Sequence, residues 1–497
     1  FADTGAVRSA ERPANLRMYK AFKTVCITHL NSNMKNFQRQ FLAQIANVAF
    51  ILVSFPLQAE EKRPNIVLFY ADDLGYTDLS CQGSTYYRTP NIDRIAKEGV
   101  SFTNAYAAAA NCAPSRASLM SGLYTPRHGV FTVGNSDRGQ AKHRKLVPIK
   151  NTQLLDQKFT TLGEALKTAG YRTCVAGKWH VSKDPSKDGF DTNFGGNTSG
   201  HPRSYFSPYK NPQLKDGPKG EHLPERLGRE VSGWMKENAT DPFFVYLPFY
   251  SVHTPIQARE DLTKKYSEKP KTDPHHNPKY AAMIEAMDLA VGQVLKTLDE
   301  LKLSENTLVI FTSDNGPHGS YSRATPLRGV KGMYYEGGIR EPFLAKLPGV
   351  IAPGTTNETP IHQVDLFPTL LSLAKAPAQK LDGISLTPAF KGKPLPDRSL
   401  YWHFPAYLQG YGQDKGSASP YFRTTPCSVI RDGDWKLIQY FEDNSLELYH
   451  LKNDVSETTN LAEKNPKKAQ ALLKKLQAWQ KDVKAPIPTE LNPKYQK

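Results

Sequence analysis

Pro64-Asn65-Ile66-Val67-Leu68-Phe69-Tyr70-Ala71-Asp72-Asp73-Leu74-Gly75 is the stretch that decides the fold. From Ile66 to Tyr70 the side chains are apolar without alternation, so a strand here has no wet face. Such runs belong to parallel sheets covered by helices on both sides. The run stops at Asp72 and Asp73. Two carboxylates at a buried strand end are costly unless something positive neutralises them. In open α/β sheets the carboxyl ends of strands are where ligands bind.

The same design returns along the chain. Thr307 to Phe311 is an apolar strand that ends in Thr312-Ser313-Asp314-Asn315-Gly316. Tyr171 to Ala176 ends in Gly177-Lys178-Trp179-His180, where an extended backbone points Lys178 and His180 to one side. Pro242 to Leu247 is another buried strand, with His253 just past it. Helices separate them. Thr89-Pro90 to Gly99 carries a cap, a proline at the first position and a glycine stop. Thr160 or Thr161 to Ala169 repeats this, with Gly170 as stop. Tyr280 to Leu301 is a long helix whose stripe of Ile284, Met287, Val291, Val294, Leu295 and Leu298 is core. After about residue 395 the character changes. Residues 401–421 are aromatic and loop-like. Ser428 to Ile438 reads as a hairpin with an Asp-Gly turn, Leu446 to Tyr449 as a strand, and Pro466 to Val483 as an amphipathic helix. The expected fold is α/β: a large, mostly parallel sheet sandwiched by helices over residues 60–395. A smaller domain of antiparallel sheet plus helix is expected over 396–497.

The 497 residues are 39% hydrophobic and 23% charged, ordinary for a globular chain, with a formal net charge of +16. The excess is spread through the chain, which suits polyanionic substrates as well as plain solubility. No helix-turn-helix, zinc-finger or aromatic RNA-binding signature is present, so no nucleic-acid partner is expected. Cys26, Cys81, Cys112, Cys174 and Cys427 form no CxxC pair and no zinc spacing, which argues against a disulfide framework. Residues 1–33 read as an unstructured upstream extension. Lys35, Arg39, the apolar run Phe41 to Phe55 and Leu57-Gln58-Ala59 read as a signal peptide over 34–59, and so as a secreted or periplasmic protein. Gln44 and Asn47 interrupt that run, and no stable membrane insertion is expected.

A strand-like run from Phe102 to Ala110 leads into Asn111-Cys112-Ala113-Pro114-Ser115-Arg116-Ala117-Ser118-Leu119-Met120-Ser121-Gly122. Pro114 fits the first position of an amphipathic helix and Gly122 its stop, which places Cys112 at a helix N-terminus that favours an anion. Arg116, one turn in, points back to the same spot. A lone cysteine is as readily a small buried hydrophobe. The wider set decides: Asp72 and Asp73, Lys178 and His180, His253, Asp314 and Asn315, Cys112, Arg116 and Lys331. Its oxygen donors suit a hard cation, Ca²⁺ or Mg²⁺, and its histidines and lysines suit an anion and proton transfer.

With these motifs the chain resembles the type I, formylglycine-dependent sulfatases of the alkaline phosphatase superfamily. Cys112-Ala113-Pro114-Ser115-Arg116 matches their Cys-x-Pro-x-Arg signature. The Asp72-Asp73-Leu74-Gly75, Gly177-Lys178-Trp179-His180 and Ser313-Asp314-Asn315-Gly316 stretches resemble further family motifs. The resemblance covers about residues 62–485. It implies that a separate maturation enzyme converts Cys112 to Cα-formylglycine (3-oxoalanine). It implies one Ca²⁺ per chain, held by Asp72, Asp73, Asp314 and Asn315 with residue 112 in its shell. The hydrated aldehyde would attack sulfur. Ca²⁺, Lys178, Lys331 and Arg116 would offset the negative charge, and His253 with Lys331 would protonate the leaving oxygen. His180 would take the proton that lets the carbonyl re-form and sulfate leave. The expected substrate is a sulfated sugar, with an aryl sulfate as the smaller possibility. Aromatics of 194–209 and 401–421 would stack on it, and His201, Arg203, Arg323 and His403 would read its polar groups. The rival readings are a phosphodiester or phosphonate hydrolase of the same superfamily and a non-catalytic binder of sulfated glycans.

Overall fold

All seven residues of β1 (Asn65–Ala71) are buried, as an uninterrupted apolar run requires. The computed structural model describes residues 63–270, 276–410 and 418–496, so the extension at 1–33 and the leader at 34–59 lie outside the described residues. β1 is central in an eight-stranded sheet with β2 (Val100–Phe102), β3 (Arg172–Ala176), β4 (Thr192–Phe194), β5 (Phe243–Pro248), β6 (Thr307–Ser313), β7 (Phe343–Lys346) and β8 (Thr355–Asn357). The order is β4-β3-β5-β1-β6-β7-β2-β8. β7 runs antiparallel to both its neighbours, and every other pairing is parallel. The sheet is therefore mostly parallel, as the strand composition predicts.

The central strands β1, β5 and β6 bury both faces. Val67, Phe69 and Ala71 of β1 pack with Val245, Leu247, Val309 and Phe311 in one core. Ile66, Leu68 and Tyr70 pack with Phe244, Tyr246, Leu308 and Ile310 in the other. Helices α1 (Pro90–Lys97), α4 (Leu223–Glu237) and α5 (Pro278–Glu300) cover the first core, the whole α5 stripe being buried. Helices α2 (Cys112–Ser121), α3 (Leu162–Thr168) and α6 (Leu366–Leu373) cover the second. A fully buried Leu, Ile or Phe contributes roughly 1.5–3 kcal/mol, so these two interleaved sets dominate the stability of the body.

A four-stranded antiparallel sheet follows, in the order β9 (Ser399–Phe404), β10 (Cys427–Asp432), β11 (Trp435–Tyr440) and β12 (Leu446–His450). Asp432 pairs with Trp435 across a tight turn in which Gly433 takes φ +58°, giving the expected hairpin. Ile430, Leu437 and Leu448 face Leu472, Leu476 and Trp479 of α7 (Pro466–Asp482). The other face of the sheet packs Trp402, Phe404, Val429 and Ile438 against Tyr334, Tyr335 and Ile339.

Three expectations need correction. The start of the aromatic 401–421 stretch is strand: Leu400, Trp402 and Phe404 alternate onto one buried face of β9, the period of 2 that marks a strand. Farther on, Leu408–Gln409 pairs with Phe422–Thr424, and residues 411–417 lie outside the described residues. The run from Phe102 to Ala110 is not one strand. It breaks at Thr103 and Asn104, where Thr103 N–H donates to the Asn357 carbonyl at 3.0 Å and Asn104 Nδ2 to the Glu358 carbonyl at 2.7 Å. Helix α2 starts at Cys112, so Pro114 stands in its third position, and all ten of its residues are buried. It is a core helix with no wet face. Among the described residues no helix is long and apolar enough to cross a membrane.

Candidate active site

The carboxyl ends of β3, β5, β1 and β6 are contiguous in the sheet, and each delivers polar residues to the same edge. Ala71 pairs with Ser313, which sets Asp72 beside Asp314. Asp73 adopts φ +62°, and its N–H donates to Asp314 Oδ1 at 3.1 Å. After β3 the chain turns at Gly177 (φ +117°), where a Cβ would lie 2.0 Å from the Pro248 carbonyl oxygen, so only glycine lets Lys178 turn into the site. α2 enters from the second face, its last turn closed by Gly122 at φ +65° with an N–H to the Ser118 carbonyl of 2.8 Å.

Each buried carboxylate has its own cation. Lys178 Nζ donates to Asp72 Oδ1 at 2.8 Å and Oδ2 at 2.7 Å. Arg116 Nε and Nη2 donate to Asp314 Oδ2 at 2.9 and 2.7 Å, and its Nη1 to the Lys178 carbonyl at 2.9 Å. Its guanidinium also lies 5.1 Å from the Tyr70 ring centroid. Lys331 Nζ donates to Asp73 Oδ2 at 2.7 Å, and His253 Nε2 stands 3.7 Å from the same oxygen. Asn315 Nδ2 donates to Asp73 Oδ1 at 2.8 Å, while its Oδ1 is buried with no hydrogen-bond partner.

That orphaned oxygen bears on the metal. One ligand atom from each of Asp72, Cys112 and Asp314 lies within 4.8 Å of the others. With Asp73 and Asn315 Oδ1 added, the donors are hard oxygens, and they fit a cation such as Ca²⁺. The thiol of Cys112 is the one soft donor in the set. The electrostatics agree. Burial pushes the Asp72 carboxyl well up despite Lys178, and Asp314 and Asp73 add to the rise. Burial also opposes charge on Asp73, but Lys331, His253 and Lys178 outweigh it and hold that carboxyl below the usual range. Three carboxylates thus meet three cations at this edge, and burial keeps the Asp72 carboxyl up all the same. Burial pulls His180 far below an ordinary histidine, aided by Lys178, Arg116 and Lys331. Burial and Lys331 do the same to His253, against the pull of Asp73. Both rings are neutral at ordinary pH in the protein alone.

A cavity of about 220 Å³ opens above this edge, and Cys112, His180, His201, His253 and Lys331 all line it. His201 stacks on His253 with centroids 6.3 Å apart and planes 12° apart. Arg203 lines an adjoining cavity that shares His201. Arg323 does not join them: it lines a separate depression with His276 and Tyr321. His403 is a correction. It is buried between Phe131 and Phe441, and its ring nitrogens are bonded to Ser428 Oγ at 2.7 Å and the Pro486 carbonyl at 3.1 Å. It holds the C-terminal segment and does not line the cavity.

The sulfatase family model matches residues 64–376, and the model for the C-terminal region of N-sulphoglucosamine sulphohydrolase matches residues 330–484. A sulfatase of Formosa agariphila is 36% identical over 537 aligned positions, which cover 90% of this chain and 94% of that protein. The chain belongs to the sulfatase family. It is a sulfuric ester hydrolase. The N-acetylgalactosamine-6-sulfatase of Canis lupus familiaris is 34% identical over 376 positions, 68% of each chain. The crystal structure of Ps i-CgsB in complex with k-i-k-neocarrahexaose superposes with a TM-score of 0.71 at 29% identity, covering 87% of this chain and 95% of that one.

Sequence reading missed several residues that line the strand-end cavity of this sulfatase: Asn111, Arg138, His318 and Arg423. His318 was within reach, four residues past Asp314 on the same strand-end loop. Arg138 stands in a polar loop with no periodic signal. Arg423 arrives from the strand Phe422–Thr424, far along the chain, and its Nη1 donates to the Lys331 carbonyl at 2.8 Å.

Proposed function

We propose that this sulfatase hydrolyses sulfate esters of carbohydrates, R–O–SO₃⁻ + H₂O giving R–OH + SO₄²⁻ + H⁺, with residue 112 as formylglycine and with one bound Ca²⁺. The observation that carries the reading is the position of Cys112. It is the first residue of a buried helix, lines the cavity, and lies within reach of Asp72 and Asp314. Asp72, Asp73, Asp314 and Asn315 would hold the cation, which supplies positive charge to the sulfuryl oxygens. A hydrated aldehyde at residue 112 supplies one hydroxyl as nucleophile and a second whose deprotonation lets sulfate leave. Cys112 and Arg116 are buried in the folded chain, so the maturation enzyme meets the Cys112–Arg116 segment before folding closes over it.

The other roles belong to this chain's own side chains. Arg116 and Lys178 hold Asp314 and Asp72 in place. Lys331, on the rim, turns from Asp73 towards a sulfuryl oxygen and offsets its charge. The Thr254 carbonyl accepts from His253 Nδ1 at 2.7 Å, which leaves Nε2 to carry the proton for the leaving oxygen. An anion in the cavity favours that protonation. His180 is buried and neutral, and its Nδ1 has no partner, so it serves as base for the second hydroxyl. Sugar specificity is supported by the relative that acts on N-acetylgalactosamine 6-sulfate and by the neighbour solved with a carrageenan-type hexasaccharide. The leader-like 34–59 segment supports export to where such polymers are met.

The test is sulfate release from a panel of defined sulfated sugars, using protein whose Cys112 conversion is verified by peptide mass. At least one sugar sulfate should turn over faster than an aryl phosphodiester. Much faster phosphodiester cleavage, or retention of glycan without sulfate release, would overturn the reading.

A further inference from the structure

The catalytic cavity does not end at His201. A second cavity of about 200 Å³ begins there, lined by Arg203, Tyr209, Lys210, Asn211 and Tyr250. His201 belongs to both walls, so the two spaces are neighbours across a single imidazole. Their lining has a one-sided charge. Among the described residues no Asp or Glu lines either cavity, whereas Arg138, Lys331 and Arg423 line the first and Arg203 and Lys210 the second. The pairing of these cations differs. Lys331 is tied to Asp73, and Arg423 donates to the Gln409 and Lys331 carbonyls at 3.0 and 2.8 Å. Arg138, Arg203 and Lys210 have no hydrogen-bond or ion-pair partner for their charged groups among the described residues, and Arg203 and Lys210 are exposed.

One sulfate ester needs one set of charges, and the strand-end site already supplies it. Two further cations, unpaired and set beyond His201, have nothing to neutralise on a monosulfated monosaccharide. Walls of one sign focus a field of that sign and draw in a ligand of the opposite one. A guanidinium is well shaped for a second sulfate or a carboxylate, and an ammonium acts there as a point charge. The volume, comparable with that of the catalytic cavity, suits one further sugar ring.

We propose that this second cavity is a subsite for the anionic sugar residue that adjoins the one losing its sulfate, so that the natural substrate is a polyanionic oligosaccharide or polysaccharide. The proposal rests on the sulfatase reading above and narrows its substrate class. Arg203 and Lys210 are the specificity-determining side chains, and His201 is the partition between the two sugar positions.

The experiment compares wild type with an R203A/K210A double variant, each with converted Cys112. The probes are 4-nitrophenyl sulfate and a panel of sulfated monosaccharides, each paired with a tetrasaccharide of the same sulfated residue and an anionic neighbour. The readout is the ratio of kcat/KM for tetrasaccharide over that for its monosaccharide. In wild type at least one pair should favour the tetrasaccharide by about tenfold or more, the scale of one or two charge-assisted contacts. That ratio should fall towards one in the double variant, and the fall should shrink as salt is raised, because exposed charges are screened. Ratios that are the same in wild type and variant across the panel, or that stay near one in both, overturn the subsite while 4-nitrophenyl sulfate turnover leaves the sulfatase reading standing. Failure of converted wild type to release sulfate from any probe overturns both.

Discussion

Cys112 has 2% of its surface exposed and stands beside carboxylates that suit a hard cation. A thiol is a poor partner for such a cation, whereas a hydrated aldehyde brings oxygen to the same point. Replacing Cys112 with Ala should drop sulfate release to background. The thermal midpoint should stay near wild type, since one buried heavy atom is worth about 1 kcal/mol; wild-type-like turnover would refute the mechanism. The oxygen cluster gives a second test. Chelation of Ca²⁺ should abolish turnover and lower the thermal midpoint, and re-addition should restore both. At free Ca²⁺ about a hundredfold above its dissociation constant the expected stabilisation is roughly 2.7 kcal/mol. A midpoint insensitive to chelator and added Ca²⁺ would count against the site. Asp72, Asp73, Asp314 and Asn315 were legible in the sequence because each follows an apolar run too uniform for anything but a buried strand. His403 was not, because the same ring serves as well to bond a hydroxyl and a carbonyl as to read a substrate.

Helix α2 and the β3 end show how elements place those residues. α2 is enclosed between the sheet and α6, with Leu119 and Met120 in the second core, so its N-terminus cannot drift relative to β1 and β6. Gly177 is the hinge on which Lys178 depends. Gly177→Ala would force a Cβ into the Pro248 carbonyl at 2.0 Å and strain a backbone at φ +117°. We expect a loss of about 1–3 kcal/mol in urea unfolding and a fall in turnover as Lys178 leaves Asp72. An unchanged denaturation midpoint would show that the turn relaxes. The strands, the helix capped by Thr161 and the 428–438 hairpin were readable from period and punctuation, whereas Thr89 gives its helix no side-chain cap. The break after Phe102 was not, because its cause is the pairing of Thr103 and Asn104 with residues near 357, far along the chain.

At the scale of the molecule, the antiparallel sheet is fastened to the body through buried charge. Lys436 Nζ lies 3.0 Å from Glu336 Oε1 and 2.8 Å from Glu457 Oε1, all fully buried. Glu336 opens the turn whose Gly338 carbonyl accepts from the Gly316 N–H at 3.1 Å, next to Asn315. Lys436→Met should cost about 3–5 kcal/mol by removing the buried cation that Glu336 and Glu457 share. Burial and the neighbouring Glu336 push the Glu457 carboxyl up to about 7, against the pull of Lys436. An acid whose folded pKa is raised lends stability that is fully present below its ordinary value of 4.5 and is lost as pH rises towards 7. The thermal midpoint of wild type minus that of Glu457→Gln should therefore shrink between about pH 4.5 and 7. A gap that is flat or widens over that window would contradict the assignment. The strand runs, the carboxylates at their ends, the Cys112–Arg116 spacing and the mostly parallel sheet are written in adjacent residues and short periods, so they could be read without a structure. Which cation meets which carboxylate, and that Arg423 and Leu408 reach the cavity while His403 does not, emerged with the folded chain. Arg116 finds Asp314 across 198 residues and Lys331 finds Asp73 across 258, and contacts of that span follow from how the sheet orders its strands, which no local pattern encodes.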